Sequence, residues 1–198
     1  MIRILILAAG ESRRMGQPKM LLPCSGATII ETVAVTALAS SAEEVVVVLG
    51  AMEESIRQSI THLPVVIAVN TEFLLGMLSS IQCGIRTLPS DTDAVLLMLG
   101  DQPTVPVEVI EEVIAAWRSS GKGFVLPTYG GRRGHPLLID LRHRDELLRL
   151  DPSAGMRAML AAHVEDVLEV PVDAPAILTD IDTPEDYAAL TGGSCINL

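Results

Sequence analysis

The sequence predicts an α/β fold, a three-layer sandwich with a mostly parallel, Rossmann-like sheet. Short and nearly continuous apolar or β-branched runs recur along the chain, which is typical of strands buried on both faces. Helical segments lie between these runs, so strand and helix alternate. Of the 198 residues, 49% are hydrophobic but only 3% are aromatic, and an aliphatic core favours layered packing over an aromatic-rich β-sandwich.

The first half of the chain gives the clearest elements. The predicted strands are residues 4–7, 45–50, 65–69, 94–100 and 124–129, and the predicted helices are 28–39, 53–61, 77–88 and 107–119. The last helix has the best-defined ends, because it follows Pro106, carries acids in its first turn and stops before Gly121.

After Tyr129 the alternation changes. The segment GGRRGHPLLI, residues 130–139, is typical of a turn leading into a strand that pairs antiparallel. Helical patterns follow at 144–150 and 156–163, then a strand at 167–170, and a last helix begins near Pro184. Without repeats or linkers, we expect one domain over residues 1–198.

Charge and cysteine content limit the function classes. The net charge of −11 and the pI of about 4.7 argue against nucleic-acid or anionic-membrane partners, which need a basic surface. The apolar N-terminal run is too short for a signal peptide and is interpreted as the first core strand. Cys24, Cys83 and Cys195 lie far apart without a CxxC motif, so a reduced cytoplasmic location without a structural zinc site is expected.

The stretch LAAGESRRMGQPK, residues 7–19, directly follows the first predicted strand. Gly10 and Gly16 bracket Arg13 and Arg14, and Lys19 follows. Glycine lets backbone N–H groups approach an oxyanion and basic side chains supply charge, so this loop is a candidate phosphate site. It matches neither the Walker A nor the GxGxxG pattern. An ordinary turn with surface arginines is the plainer alternative.

Acidic residues follow two other apolar segments. In an α/β sheet, ligands bind beyond the carboxyl ends of the strands, so the basic loop, the strand end at Gly100 and the turn after Ile177 should converge. Asp101 lies in GDQP and Asp182 in TDIDTPED. Each acid alone could be a helix or turn cap. Together with the loop, they fit Mg²⁺ held against a triphosphate.

Two further segments have less specific patterns. Ser79 and Ser80 lie in the first turn of a predicted helix, where they could contact a nucleotide or simply cap the helix. His135 lies beside Arg132 and Arg133 in a small basic patch, which fits either a solvated hairpin or a dock for a second anionic substrate. The other histidines are interpreted as surface or satisfied core residues without partners: His62, His143 and His163.

In their order along the chain, these motifs resemble the molybdenum-cofactor nucleotidyltransferases, specifically the cytidylyltransferase branch. The resemblance is carried by LAAGESRRMGQPKMLLP, NTEFLLGMLSSIQCGI, LMLGDQP, GRRGHPLLI and DIDTPEDY. The pattern LAAGxSxRMGxxK is shared with nucleotidyltransferases that make sugar and terpenoid precursors, whereas GMxSSxxxGI and GxxGHP point to the molybdenum branch. The guanylyltransferase counterpart usually reads LAGG, so Ala9 favours cytidine.

The resemblance implies a fold of the nucleotide-diphospho-sugar transferase type and a role for each matching residue. Leu7, Ala8, Ala9 and Gly10 would line the nucleotide pocket, with Ser79, Ser80 and Gly84 as its second segment. Arg14 and Lys19 would hold the triphosphate and, with Asp101, would be the catalytic residues. Asp101 and Asp182 would bind Mg²⁺. The second substrate would contact Arg132, Arg133, His135 and Arg157. Arg157 lies in LDPSAGMR, where the family often has Gly-Asp-x-Gly-Ala-Arg, so its spacing departs from the pattern.

The activity implied is Mg²⁺-dependent transfer of CMP from CTP to the terminal phosphate of molybdopterin, with release of pyrophosphate. The sequence contains no nucleophile–base pair, which suits catalysis by alignment and charge neutralisation. Two enzymatic alternatives are guanylyl transfer to the same cofactor and nucleotidyl transfer to a sugar or alditol phosphate. A non-enzymatic alternative is a carrier that hands the cofactor to a recipient molybdoenzyme.

Overall fold

The computed structural model describes residues 1–192, so Cys195 lies outside the described residues. Within this range the strands are β1 (Ile2–Ala8), β2 (Pro23–Cys24), β3 (Ala27–Thr28), β4 (Glu44–Leu49), β5 (Val66–Val69), β6 (Ala94–Leu99), β7 (Phe124–Tyr129), β8 (Arg132–Arg133), β9 (Leu137–Asp140) and β10 (Val167–Pro171). The α-helices are α1 (Ile29–Leu38), α2 (Glu53–Ile60), α3 (Met77–Thr87), α4 (Val107–Ser120), α5 (Arg144–Arg149), α6 (Gly155–Ala162) and α7 (Pro184–Gly192).

A mixed but mostly parallel sheet forms the centre of the fold. Its strand order is β10-β7-β9-β6-β1-β4-β5, and β8 pairs with β7. β1 lies parallel between β4 and β6, β5 is parallel to β4, and β10 is parallel to β7. β8 and β9 run antiparallel to their neighbours. The predicted sheet type and the antiparallel strand after Tyr129 are both confirmed.

Helices cover both faces of the sheet. Successive side chains of β1 point to opposite faces, so they belong to two different cores. Ile4 and Ile6 join one core with buried residues of α1, α2 and α4. Leu5 and Leu7 join a second core with residues of α3, α5 and α6. The predicted three-layer sandwich is therefore confirmed. No helix among the described residues is both long enough and apolar enough to cross a bilayer.

The predicted boundaries agree with the observed ones to within two residues wherever local signals are strong. Helix α1 starts in a capping box, in which the Thr28 hydroxyl accepts from the Glu31 N–H and the Glu31 carboxylate accepts from the Thr28 N–H. Helix α4 ends at Gly121 with φ of 65°. The β2–β3 hairpin, by contrast, was not predicted, because its two-residue strands give no periodic signal.

Candidate active site

The loop after β1 has a fixed backbone from which its basic side chains project. The N–H groups of Met15 and Gly16 donate to the Ser12 carbonyl at 3.1 and 3.2 Å, and Gly16 takes a left-handed φ of 70°. The Met15 side chain is buried beneath the loop against Ile29 and Ile181. Anchoring from below leaves the upper surface of the loop free for a ligand.

Lys19 joins the three predicted motifs. Its Nζ donates to Asp101 Oδ2 at 2.5 Å and to Asp182 Oδ1 at 2.7 Å, while Arg14 Nη2 donates to Asp182 Oδ2 at 2.7 Å. The Ile181 N–H also donates to the Asp101 carbonyl at 3.0 Å. The basic loop, the end of β6 and the turn before α7 therefore converge at the carboxyl edge of the sheet, as the sequence predicted.

Both partners of the lysine contact have a raised pKa. Burial favours the neutral amine of Lys19, but the Asp101 and Asp182 carboxylates outweigh this effect and raise its pKa. Burial raises the pKa of Asp101, Lys19 opposes the rise, and the negative charges of Asp180 and Asp182 add to it. The site therefore concentrates three carboxylates around one buried ammonium, and this excess of negative charge suits an additional cation.

Asp182 does not cap helix α7. The capping residues are Thr183, whose hydroxyl accepts from the Asp186 N–H at 3.2 Å, and Asp186, whose carboxylate accepts from the Thr183 N–H at 2.8 Å. The cap alternative for Asp182 is therefore wrong. Its carboxylate is free to face the basic loop.

A cleft of about 400 Å³ opens in front of this cluster. Its walls contain many of the predicted nucleotide and metal residues: Leu7, Ala9, Gly10, Arg14, Lys19, Ser80, Asp101 and Asp182. Phe73 and Met77 also line it. Ala8 is fully buried behind the edge in the first core, so its side chain supports the loop from within.

The two serines are tied into a buried network rather than capping α3. Asn70 Nδ2 donates to Ser79 Oγ at 2.9 Å and to Ser80 Oγ at 3.0 Å. Ser79 Oγ donates to the carbonyl of Gly76 at 2.8 Å, and Gly76 itself is the N-cap of α3. The helix-capping alternative for the serines is wrong. Of the two, Ser80 lines the cleft, while the Ser79 hydroxyl contacts backbone.

Gly84 lies in α3 where the helix packs on the sheet. A Cβ at this position would meet Leu5 Cδ1 at 2.8 Å and Val48 Cγ2 at 3.0 Å. Its lack of a side chain therefore permits the close approach of α3 to β1 and β4. Gly84 is not among the described residues that line the cleft.

A second and larger cavity, of about 950 Å³, lies beside the cleft. Leu7 and Met77 line both spaces. Apolar side chains of α3, β9 and α6 form most of its wall, and Arg133, His135 and Arg157 add polar groups. Arg132 is exposed on β8 and does not occur among the described residues of this wall.

The polar side chains of this cavity differ in charge. Arg133 pairs with Glu169 at 2.7 Å. Burial lowers the pKa of His135, and the nearby Asp180 carboxylate offsets only part of this effect. The His135 side chain is therefore neutral near pH 7. Arg157, on α6, adds a positive charge to the wall.

The sequence analysis left Asp180 and Gln102 without an assigned role. Gln102 is buried and donates from Nε2 to Asp180 Oδ1 at 2.7 Å. This contact holds Asp180 near Asp101. The sequence signal that could have pointed to this contact is a polar glutamine directly after Asp101, in the segment that follows β6.

The interpretation of the remaining histidines as residues without partners is wrong. His143 contacts Asp166 at 2.9 Å, His163 contacts Glu146 at 2.9 Å, and His62 lies 3.5 Å from Glu31. His143 and His163 belong to one cluster. His143 stacks on Phe124 at the amino end of β7, so this cluster lies at the edge of the sheet opposite to the cleft.

Comparisons with known proteins identify the family. Residues 4–177 match the family model described as the MobA-like NTP transferase domain. The chain is 28% identical over 187 residues to the molybdenum cofactor cytidylyltransferase of Escherichia coli K12, covering 94% of this chain and 93% of that protein.

Two other matches show how varied the relatives are. The nicotine blue oxidoreductase of Paenarthrobacter nicotinovorans is 34% identical over 167 residues, which is 78% of this chain and 79% of that protein. The crystal structure of Rv0371c from Mycobacterium tuberculosis H37Rv superposes with a TM-score of 0.85, at 26% identity and over 96% of both chains.

Proposed function

Because the chain belongs to the MobA-like NTP transferase family, we propose that it transfers CMP from CTP to the terminal phosphate of molybdopterin. Pyrophosphate is the second product. The reaction depends on Mg²⁺. The single observation that carries the proposal is the placement of Lys19 between Asp101 and Asp182, beside Arg14, at the mouth of the cleft.

The donor set of the cleft fits Mg²⁺. Mg²⁺ prefers carboxylate and phosphate oxygens and usually takes one or two protein carboxylates. Asp101 and Asp182 would hold it, and the raised pKa of Asp101 reflects burial together with neighbouring negative charge. When bound, the ion supplies charge neutralisation for the triphosphate.

The reaction needs alignment more than proton transfer. An oxygen of the acceptor phosphate forms a bond to the α-phosphorus of CTP, and the bond from that phosphorus to the pyrophosphate oxygen breaks. The acceptor oxygen is already anionic, so it needs no strong general base. Lys19 and Arg14 stabilise the negative charge on the phosphates, and the loop from Leu7 to Gly10 positions the nucleotide.

The second cavity suits the acceptor. Its apolar wall fits a ring system such as a pterin, and Arg157 and Arg133 offer charge for a phosphate. Leu7 and Met77 line both spaces, so an acceptor phosphate at the boundary would face the nucleotide.

The test is pyrophosphate release with Mg²⁺ and each of CTP, GTP, ATP and UTP, with and without molybdenum cofactor. We expect release that requires both CTP and the cofactor. A preference for GTP would contradict the choice of CTP, which depends on Ala9. Release with a sugar or alditol phosphate but not with the cofactor would contradict the choice of molybdopterin as the acceptor.

The carrier alternative, and the oxidoreductase activity that the name of the Paenarthrobacter nicotinovorans relative suggests, need separate arms of the same experiment. Cofactor binding without pyrophosphate release, with unchanged affinity in Asp101→Ala, would favour a carrier that passes the cofactor to a recipient molybdoenzyme. Oxidation of a reduced nicotinamide, monitored by its absorbance, would favour hydride transfer. We expect neither, because both leave Asp101 and Asp182 without a chemical role.

A further inference from the structure

A compact group of metal-ligating side chains lies at the amino edge of the sheet, opposite to the cleft. His143, Glu146 and His163 each offer one ligand atom, and these atoms all lie within 4.8 Å of one another. His143 precedes α5, Glu146 lies within it, and His163 follows α6. Their side chains are 12%, 47% and 27% exposed, so the group is accessible to an ion.

Asp166 fixes the orientation of His143. The Asp166 carboxylate accepts from Arg142 Nη2 at 2.7 and 2.8 Å and from the Gly123 N–H at 2.9 Å. His143 Nε2 lies 2.9 Å from the same carboxylate. A Cβ on Gly123 would lie 2.5 Å from that nitrogen, so glycine at this position makes room for the contact.

This contact determines the His143 tautomer. An ionised carboxylate only accepts hydrogen bonds, so the proton of a neutral His143 lies on Nε2 and Nδ1 keeps its lone pair. Arg142 Nε lies 3.5 Å from Nε2, at the limit of hydrogen-bond distance, so the shorter carboxylate contact decides the assignment. A carboxylate that orients a histidine through its far nitrogen is the usual support of a metal ligand.

We propose that His143 Nδ1, Glu146 and His163 Nε2 bind a divalent transition-metal ion of the zinc type. Glu146 Oε2 lies 3.8 Å from His143 Nδ1 and 2.9 Å from His163 Nε2. These distances bracket the separation of about 3.3 Å expected between ligand atoms bound tetrahedrally to zinc at about 2.0–2.1 Å. The mixed nitrogen and oxygen donors suit zinc rather than Mg²⁺.

The site would join α5 to α6, and α6 lines the second cavity. Glu146 lies on α5, while His163 ends α6, whose residues Arg157 and Leu160 line that cavity. A bound ion would therefore fix α6 against α5. It would take no part in the proposed transfer, because Asp101 and the cleft lie at the other edge of the sheet.

The experiment is a Zn²⁺ titration of the full chain in excess Mg²⁺, which saturates oxygen-only sites, using a chromophoric chelator as competitor. We expect the wild type to bind one Zn²⁺. His163→Gln should weaken this binding by at least about 100-fold and Asp166→Asn by about 10-fold to 100-fold. Co²⁺ bound to the wild type should give the visible absorption bands typical of tetrahedral coordination, and these bands should be absent in His163→Gln.

His62→Gln is the matched control, because His62 is 59% exposed and its ion-pair partner is Glu31 of α1; it should bind Zn²⁺ like the wild type. Circular dichroism without metal checks that His163→Gln is folded, and Glu146→Gln provides a second test if it is not. Wild-type Zn²⁺ affinity in both His163→Gln and Glu146→Gln would overturn the proposal. Loss of binding in Asp101→Asn instead would assign the ion to the cleft and also overturn it.

Discussion

Two polar clusters lie at opposite edges of the sheet, and they are built differently. At the carboxyl edge, Lys19 lies between Asp101 and Asp182, and each residue comes from a recognisable sequence motif. At the amino edge, His143 and His163 surround Glu146, and none of the three belongs to a motif. The comparison teaches that a site built on strand ends leaves a signal in the sequence, whereas a site assembled by helix packing leaves almost none.

The largest effect should come from removing the lysine of the carboxyl-edge cluster. Lys19→Ala removes a buried positive charge that would face the phosphates of the nucleotide, so the rate of the proposed CMP transfer should fall by about 10²–10³-fold. The measurement is kcat for pyrophosphate release. Arg149→Ala is the control, because Arg149 is 78% exposed and lies on α5, away from the cleft. Near-wild-type turnover of Lys19→Ala would contradict the role of the cluster.

A smaller effect should separate metal binding from phosphate binding. Asp182→Asn keeps the shape of the side chain but removes a charged oxygen donor, so the Mg²⁺ concentration for half-maximal rate should rise about 10-fold. Glu185→Gln, in the first turn of α7, should leave the Mg²⁺ requirement unchanged. If the Asp182→Asn titration overlays the wild-type curve, Asp182 has no part in holding the ion.

The amino-edge cluster should affect stability rather than turnover. Burial opposes ionisation of Asp166, but hydrogen bonds from Arg142, His143 and Gly123 outweigh it and lower the pKa. Asp166→Asn should therefore reduce the free energy of unfolding by about 1 kcal/mol at neutral pH. Urea unfolding measures it, with Asp145→Asn as control, since Asp145 is 80% exposed.

The same variant gives a pH test with a defined sign. A carboxylate with a lowered pKa in the folded state stabilises the protein above the unfolded pKa, here 3.8, and loses this contribution as the pH falls further. The difference between wild type and Asp166→Asn should thus still be present at pH 5 and shrink below pH 4. A difference that does not shrink between pH 4 and pH 3 would contradict the assignment.

The smallest effect concerns His135 at the second cavity. Because burial lowers its pKa below 6.5, the side chain is neutral across the physiological range, and the KM for the acceptor should show no inflection between pH 6.5 and 8. KM is measured over this range in the wild type and in His135→Asn. An inflection near pH 6.5 that disappears in the variant would show a charged histidine instead.

Much of the fold followed from the sequence because its signals are local. The apolar run of β6, the capping residues Thr28 and Glu31, and the stop at Gly121 each depend on a few neighbouring residues. The convergence of Asp101 and Asp182 on the basic loop followed from a topological rule about strand ends. In these cases, the residue types in one short segment, or the position of a strand end, were enough to predict the structure.

The rest depended on packing between distant segments. The Asn70 contact that joins Ser79 and Ser80 and the Gln102 contact with Asp180 each require side-chain positions that no short motif specifies. His143 and Asp166 are 23 positions apart, and they meet because α5 and the segment before β10 pack beside β7. Spacing alone could not distinguish them from surface residues.

The position of Lys19 has a consequence for how ligands enter the cleft. The protein carries its own counterion: the lysine ammonium neutralises the two carboxylates that a divalent cation would otherwise reach. A cation alone must displace this ammonium, and a triphosphate alone must draw it away from two anions. When both arrive together, the carboxylates pass to the metal and the ammonium to the phosphates, so each ligand removes the obstacle to the other. Nucleotide and metal should therefore bind with positive cooperativity, each tightening the other by the same factor.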